Sequence, residues 1–237
     1  MNIFLSANEY TKEQQEERDL VIASLKRQGF KLVSDISSCD LAVSLGGDGA
    51  LLRAAALALR DDKPIIGINA GMLGFLCALK LCDIEDFGKV LNDSLVSERL
   101  VLETSTSKGK LFAVNDIVFG KRYFGRPVDI YAAAGEKELL SFKGDGLIVS
   151  TPTGSTAYSK NAGGPVLEAG SSSFVLTPIC APAKPVILDE KENVTVSLKK
   201  GEWDIFIDGE KLDESCSKLS LQPSSKSLKL LLPKSRL

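Results

Sequence analysis

The apolar positions along residues 1–93 change period several times, and each change marks an element. Residues 2–6 form a short apolar run that reads as a strand, and residues 12–28 follow as a helix. Thr11 and Gln14 stand at capping-box spacing before that helix, and Gly29 supplies its stop. Leu32 and Val33 suggest a short strand. Residues 41–45 are a branched apolar run suited to a buried strand, and they meet Gly46, Gly47, Asp48 and Gly49 with no polar loop between. From Ala50 the period is helical, since Leu52, Ala55, Ala56 and Leu59 fall at i, i+3, i+4 and i+7. Residues 64–69 read as another buried strand and residues 84–91 as a closing helix. The order strand, helix, strand, strand, helix, strand predicts a Rossmann-like α/β domain. Its sheet is expected to be mostly parallel and covered on both faces, with ligands at the carboxyl ends of the strands.

Beyond Asn92 and Asp93 the texture changes. From Arg99 the helical stripe disappears and short strand-like runs dominate, among them LVLETST, KLFAVNDIVF, VDIYAAA, GLIVST, FVLTPIC, NVTVSL, WDIFID and LKLLL, separated by glycine and polar turns. The expected organisation is an α/β domain over residues 1–93, carrying the glycine turn, and a β-rich domain over residues 94–237. The last residues of the chain are allowed to return to the first domain.

Composition narrows the function classes. With 29 basic and 31 acidic side chains in 237 residues the net charge is −2, so nothing points to nucleic acid or a membrane surface. The apolar part of the N-terminus is too short for a signal peptide and no later run approaches a membrane span, which makes the cytoplasm the expected compartment. Five cysteines without a C-x-x-C pair argue against a disulfide framework or a zinc site and read as buried free thiols. The chain has no histidine, which excludes Ser-His-Asp and Cys-His mechanisms. Acid–base work falls to a carboxylate, lysine, cysteine or tyrosine.

Two stretches carry the candidate chemistry. In the first, three glycines around Asp48 let a ligand approach main-chain N–H groups, and the helix start beyond them favours phosphate. A carboxylate there would repel that phosphate unless it faced a hydroxyl to be deprotonated or a metal, a combination that suggests phosphoryl transfer to an alcohol. The other reading makes Asp48 a plain helix cap. The loop over residues 69–76 could form a second wall of the ligand site, or Met72, Leu73, Phe75 and Leu76 could anchor it to the core. The second stretch, residues 142–165, reads FKGDGLIVSTPTGSTAYSKNAGGP. Its hydroxyls and glycines suit a ribose or phosphate, and Tyr158 offers a ring with a polar tip.

Together these motifs resemble the NAD kinase family. The series runs in order from about Asp40 to Gly209: L-G-G-D-G, G-I-N-A-G-M-L-G-F-L, E-R-L, V-N-D-I-V, G-D-G-L-I-V-S-T-P-T-G-S-T-A-Y and L-T-P-I-C. The resemblance implies phosphorylation of the 2′-hydroxyl of the adenosine ribose of NAD by ATP, or by polyphosphate, to give NADP. It implies Asp48 as the catalytic acid–base group, with Gly46, Gly47 and Gly49 shaping the phosphate-donor side and Phe75 lining the adenine side. Asn115 matches the Asn of the family's Asn-Glu pair, whose Glu is replaced by Asp116. Asp145, Thr156, Ala157 and Tyr158 match the dinucleotide-binding stretch, Asp145 toward the nicotinamide half. No dedicated metal ligands are implied; Mg²⁺ would be held mainly through nucleotide phosphates and water. A homodimer or homotetramer is implied, a neighbouring subunit completing the NAD site. The chain departs from the family after Cys180, where Ala181, Pro182, Ala183 and Lys184 replace a common Pro-His pair. Two other functions compete: a lipid or sphingoid-base kinase sharing the glycine turn, and a non-catalytic NAD-binding regulator.

Overall fold

The computed structural model describes every residue except Glu9, Leu73, Lys108, Glu214, Ser215 and Leu237. The chain folds into two compact units, residues 1–98 with 228–237, and residues 99–227. The first unit begins with β1 (Asn2–Ala7), α1 (Lys12–Arg27), β2 (Lys31–Val33), β3 (Leu41–Leu45), α2 (Asp48–Arg60) and β4 (Ile65–Asn69). It continues through β5 (Leu79–Lys80), α3 (Phe87–Asp93) and β6 (Ser94–Arg99). The Thr11–Gln14 capping box forms, and Gly29 follows α1 with φ 84°.

Strands β1, β2, β3 and β4 pair in parallel, as the crossover helices require. Every residue of β3 and β4 is buried, so this sheet is covered on both faces. Leu41, Val43, Leu45, Ile66 and Ile68 share a core with Val21 and Leu25 of α1 and with Ile84 and Phe87. The alternate face meets α2, where a Cβ on Gly67 would lie 2.6 Å from a Leu51 methyl.

Two elements differ from the periodicity reading. The buried face of α2 is wider than the expected stripe, since Leu51, Ala54 and Ala58 join Leu52, Ala55 and Leu59 while Ala56 sits half-buried at its edge. The expected helix over 84–91 is a 3-10 stretch, Leu81–Asp86, kinked at the non-helical Asp83, followed by α3.

The second unit is all antiparallel. Its strands are β7 (Leu102–Thr106), β8 (Gly109–Ala113), β9 (Asp116–Lys121), β10 (Val128–Ala134), β11 (Lys137–Gly144) and β12 (Gly146–Ser150). After the short helix α4 (Tyr158–Asn161) come β13 (Phe174–Ile179), β14 (Val186–Leu188), β15 (Val194–Lys200), β16 (Trp203–Ile207), β17 (Glu210–Lys211) and β18 (Lys218–Pro223). They form two six-stranded sheets, ordered β11-β10-β15-β18-β7-β8 and β14-β13-β12-β9-β16-β17. Alternate residues of both sheets meet in one core, with Ile130, Val196 and Leu221 on one side and Phe119, Leu147, Leu176 and Trp203 on the other.

The chain then returns to the first unit. In β19 (Leu228–Pro233) Leu228, Leu230 and Leu232 are buried, and Leu230 registers in parallel against Ile65 of β4. The run LKLLL therefore completes the α/β sheet, between β4 and β6. All five cysteines are free, but only Cys39 and Cys77 are buried; Cys82 and Cys180 are exposed, correcting the expectation of uniformly buried thiols. Among the described residues no helix is long and apolar enough to cross a membrane.

Candidate active site

In the first unit, the carboxyl end of β3 runs directly into α2. Gly46 makes the turn with φ 135°, and a Cβ there would lie 2.7 Å from the Ala50 Cβ, so only glycine fits. Gly47 is the N-cap residue and Asp48 is the first residue of the helix, so Asp48 does not stand at the cap. The plain-cap reading of Asp48 therefore fails. Nothing lies within 4 Å of where a Cβ would stand on Gly47 or Gly49, so these two glycines leave the helix start uncovered. The amides that open a helix have no intrahelical acceptor and attract anions.

The Asp48 carboxylate is bound by the loop after β4. The amide of Phe75 donates to Oδ2 at 2.8 Å and that of Leu76 to Oδ1 at 3.1 Å. Gly74 is what lets the loop come so close, because a Cβ there would stand 2.4 Å from Asp48 Oδ1. Phe75 thus contributes its main chain, and its ring is 78% exposed. Met72 is exposed too, so neither anchors the loop; Leu76, which is buried, does, and Leu73 lies outside the described residues. The other side of the loop is held by Arg236, whose guanidinium donates to the carbonyls of Gly74 (2.6 Å), Phe75 (3.4 Å) and Cys77. Cys77 lies beside this carboxylate and donates its thiol to the Gly46 carbonyl. Burial first, and then the Asp48 charge, push that thiol up to about 12, so it stays protonated and is no nucleophile.

In the second unit, Asn115 and Asp116 lie where the chain enters β9, beside the end of β12, since Asp116 registers with Ser150. The turn after β12 packs on their main chain. Thr151 donates its amide to the Asn115 carbonyl (2.9 Å) and its hydroxyl to that of Val114, and a Cβ on Gly154 would come within 2.1 Å of the Asn115 oxygen. The carboxylate of Asp208, just after β16, accepts the amides of Val114, Asn115 and Asp116. Asp116 is 6% exposed, and burial, followed by the nearby Asp208 charge, pushes its carboxyl up to about 7.

The hydroxyls of residues 150–159 differ in exposure and in what they bond. Ser150, Thr151, Ser155 and Ser159 are buried and bonded internally, Ser159 to Thr177 Oγ1 at 2.8 Å and Ser155 to the Leu167 amide at 2.9 Å. The outward residues are Thr156, exposed with its hydroxyl donating to the Thr153 carbonyl at 3.3 Å, half-buried Ala157, and Tyr158, 46% exposed; the Thr153 hydroxyl is buried with no hydrogen-bond partner.

Asp145 stands elsewhere. It lies at the opposite end of β12, where Lys121 Nζ bonds its carboxylate at 2.7 Å. Five strand residues separate it from Thr151, roughly 20 Å at about 3.3 Å per residue step. Its two glycines serve close packing of strands, since a Cβ on Gly146 would lie 2.3 Å from the Phe119 carbonyl and one on Gly144 would lie 2.9 Å from that of Ile179. One copy of the second unit therefore gathers Asn115, Asp116, Thr156, Ala157 and Tyr158 around one strand end and leaves Asp145 at the other.

Sequence reasoning missed four contributors: Gly74, Arg236, Lys121 and Asp208. Gly74 was visible in the bracketed loop, and Asp208 in an Asp-Gly turn. Arg236 and Lys121 carried no local signal.

Comparison with known proteins agrees with this division. Residues 6–98 match the model of the ATP-NAD kinase N-terminal domain, and residues 128–222 that of the ATP-NAD kinase C-terminal domain. The NAD kinase of Sulfurimonas denitrificans is 38% identical over 187 residues, covering 75% of this chain and 66% of that one. The NAD kinase of Wolinella succinogenes is also 38% identical, covering 74% of this chain and 64% of that one. The chain thus spans just under two thirds of the length of these relatives. An NAD kinase from Archaeoglobus fulgidus, solved in complex with ATP, superposes with TM-score 0.79 at 25% identity, covering 99% of this chain and 94% of that one. A yeast NADH kinase complexed with NADH shares the fold, with TM-score 0.82 at 18% identity over 98% of this chain and 83% of that one.

Proposed function

Since the chain belongs to the NAD kinase family, we propose that it transfers the γ-phosphoryl group of ATP to the 2′-hydroxyl of the adenosine ribose of NAD, giving NADP. The observation that carries this reading is the Asp48 carboxylate, fixed by one loop amide at each oxygen beside an uncovered, glycine-lined helix start. The amides steady the carboxylate without neutralising it, so it remains a proton acceptor with a set direction. The 2′-hydroxyl gives its proton to Asp48 as its oxygen bonds to the γ-phosphorus, the bond to the β-phosphate oxygen breaks, and ADP leaves. Gly47 and Gly49 admit the donor phosphates to the main-chain amides that begin α2.

Among the described residues no group of three or more His, Cys, Asp or Glu could hold a metal ion. A Mg²⁺ would be held mainly through nucleotide phosphates and water, a hard cation needing few protein ligands. When bound, the ion offsets charge on the phosphoryl group in transfer.

Asn115, Asp116, Thr156, Ala157 and Tyr158 hold the dinucleotide, Asn115 and Asp116 through their side chains and Tyr158 through its half-exposed ring. Asp145 sits too far along β12 to join them in one copy, which favours a homo-oligomer in which it serves a neighbouring copy's NAD. Phe75, exposed beside Asp48, is available to stack on adenine. The enzyme works in the cytoplasm, and polyphosphate is a second donor to test.

An assay of NADP formation from NAD, ATP and Mg²⁺ decides the matter. NADP is expected; its absence under conditions where NAD binds overturns the catalytic reading and leaves the NAD-binding regulator.

A further inference from the structure

We propose that Asp208 is a positioning residue for dinucleotide recognition, locking the main chain of residues 114–116 so that the side chains of Asn115 and Asp116 face the ligand in one orientation. The proposal rests on the reading of Asn115 and Asp116 as NAD contacts.

The Asp208 carboxylate accepts three consecutive amides: Val114 on Oδ2 at 2.8 Å, Asn115 on Oδ1 at 2.7 Å and Asp116 on Oδ1 at 3.1 Å. Its own amide donates to the Asp116 carbonyl at 3.0 Å. From the other side, the carbonyls of Val114 and Asn115 are taken by Thr151, with Ser150 Oγ adding a bond to Asn115 at 3.2 Å. Every main-chain polar group of Val114 and Asn115 is thereby used within the protein, and only side chains are left to address a ligand.

A simpler account treats Asp208 and Gly209 as a hairpin turn. Both have positive φ, 48° and 85°, and they join β16 to β17 as Asp-Gly pairs do in two-residue loops. That account explains the backbone and not the side chain, because Asn serves such a turn equally well. Only a carboxylate accepts at both ends, and here both ends are occupied. The site is also costly to keep charged. Burial pushes Asp208 up to about 6 against the pull of its three amides. It also pushes Asp116 up to about 7, with Asp208 the one charge that adds to it. The three amides favour the ionised form of Asp208, and the Asp208 charge favours the protonated form of Asp116.

The test is Asp208→Asn, which preserves the turn and places an NH₂ group against an amide N–H. NAD binding is measured by calorimetry without ATP, and turnover separately. The expected result is an NAD affinity about tenfold weaker, with kcat and the KM for ATP near parental. In an Asp116→Asn background, where Asp208 is the one carboxyl of the pair left to titrate, NAD affinity should fall as pH drops from 7 to 5, when Asp208 gains a proton and an amide loses its acceptor; with Asp208→Asn added that fall should be absent. Parental NAD affinity in a folded Asp208→Asn protein overturns the proposal and leaves the turn role. If the Asp208→Asn variant does not fold, the Asp116→Asn profile decides: NAD affinity that does not change between pH 7 and 5 also overturns the proposal. A parent that binds NAD but makes no NADP refutes the proposed reaction without touching this inference. A parent that makes NADP while Asn115→Ala leaves NAD affinity unchanged removes the premise and the proposal with it.

Discussion

Asp48 shows how much one side chain's neighbours constrain what a substitution can test. Asn in its place keeps the volume but can accept only one of the two loop amides, so the variant loses charge and one hydrogen bond together. Removing a general base costs about 100- to 10,000-fold in kcat, and losing one partly exposed hydrogen bond costs about 0.5–1.5 kcal/mol of stability. Asp48→Asn should therefore show both, with NAD affinity near parental. Gly74→Ala separates the two effects: it leaves the carboxylate charged and pushes the loop off it, because its Cβ would stand 2.4 Å from Oδ1. Stopped-time assays of kcat with NAD titrations check the pair. Turnover in Gly74→Ala within twofold of the parent would show that the loop's approach to Asp48 does not matter. The glycines around Asp48 were readable as a turn between strand and helix from local order alone; Gly74 was readable only as a loop residue, since its partner lies 26 positions earlier in the chain.

Among the elements, β19 links the chain's end to the loop that holds Asp48. Its leucines are buried on alternate positions, and the 3-10 turn that follows, Lys234–Arg236, brings a guanidinium onto the carbonyls of the loop whose amides hold Asp48. Arg is suited to this because its planar fork offers several donors at once. Arg236→Ala should leave β19 in place and loosen the loop. We expect a drop of about tenfold in kcat, as for loss of one or two charge-assisted bonds acting indirectly, and faster proteolysis between residues 70 and 77. Unchanged turnover and unchanged cleavage would assign Arg236 to packing only. Strand runs such as LKLLL were legible as strands, but the sheet each joins was not, because pairing partners are chosen by register across long sequence distances.

For the whole molecule, the buried acids give stability a pH dependence of definite sign. Asp116 rises from 3.8 to about 7 on folding, so the native state holds more protons than the unfolded chain between those values. Stability contributed by this group is fully present below about pH 4 and is lost as pH rises through about 7. Asp116→Asn removes the buried charge, and should make the protein more stable than its parent at pH 8 by on the order of 1–3 kcal/mol, with little difference at pH 4.5. Urea titrations at the two pH values check this. Equal midpoints at pH 8 would mean that the carboxyl is not held neutral. The same variant is expected to bind NAD less well, a trade of stability for function common at ligand sites.

The chain's own order of residues determined the α/β and β-rich halves, the glycine turn before a helix, and the motif series from Asp48 to Tyr158. These depend on period, caps and turn chemistry, which act over a few neighbours and are written in contiguous residues. Tertiary structure decided the rest. It placed Asn115 and Tyr158 around one end of the β9–β12 pair and Asp145 at the other, made internal struts of Ser150, Thr151, Ser155 and Ser159, and brought Asp208 beneath Asn115. These outcomes follow from strand register and from the cost of leaving buried amides and hydroxyls without a partner. A hydroxyl in a motif binds a ligand only if the fold has not already given it a partner, and no local pattern records that choice.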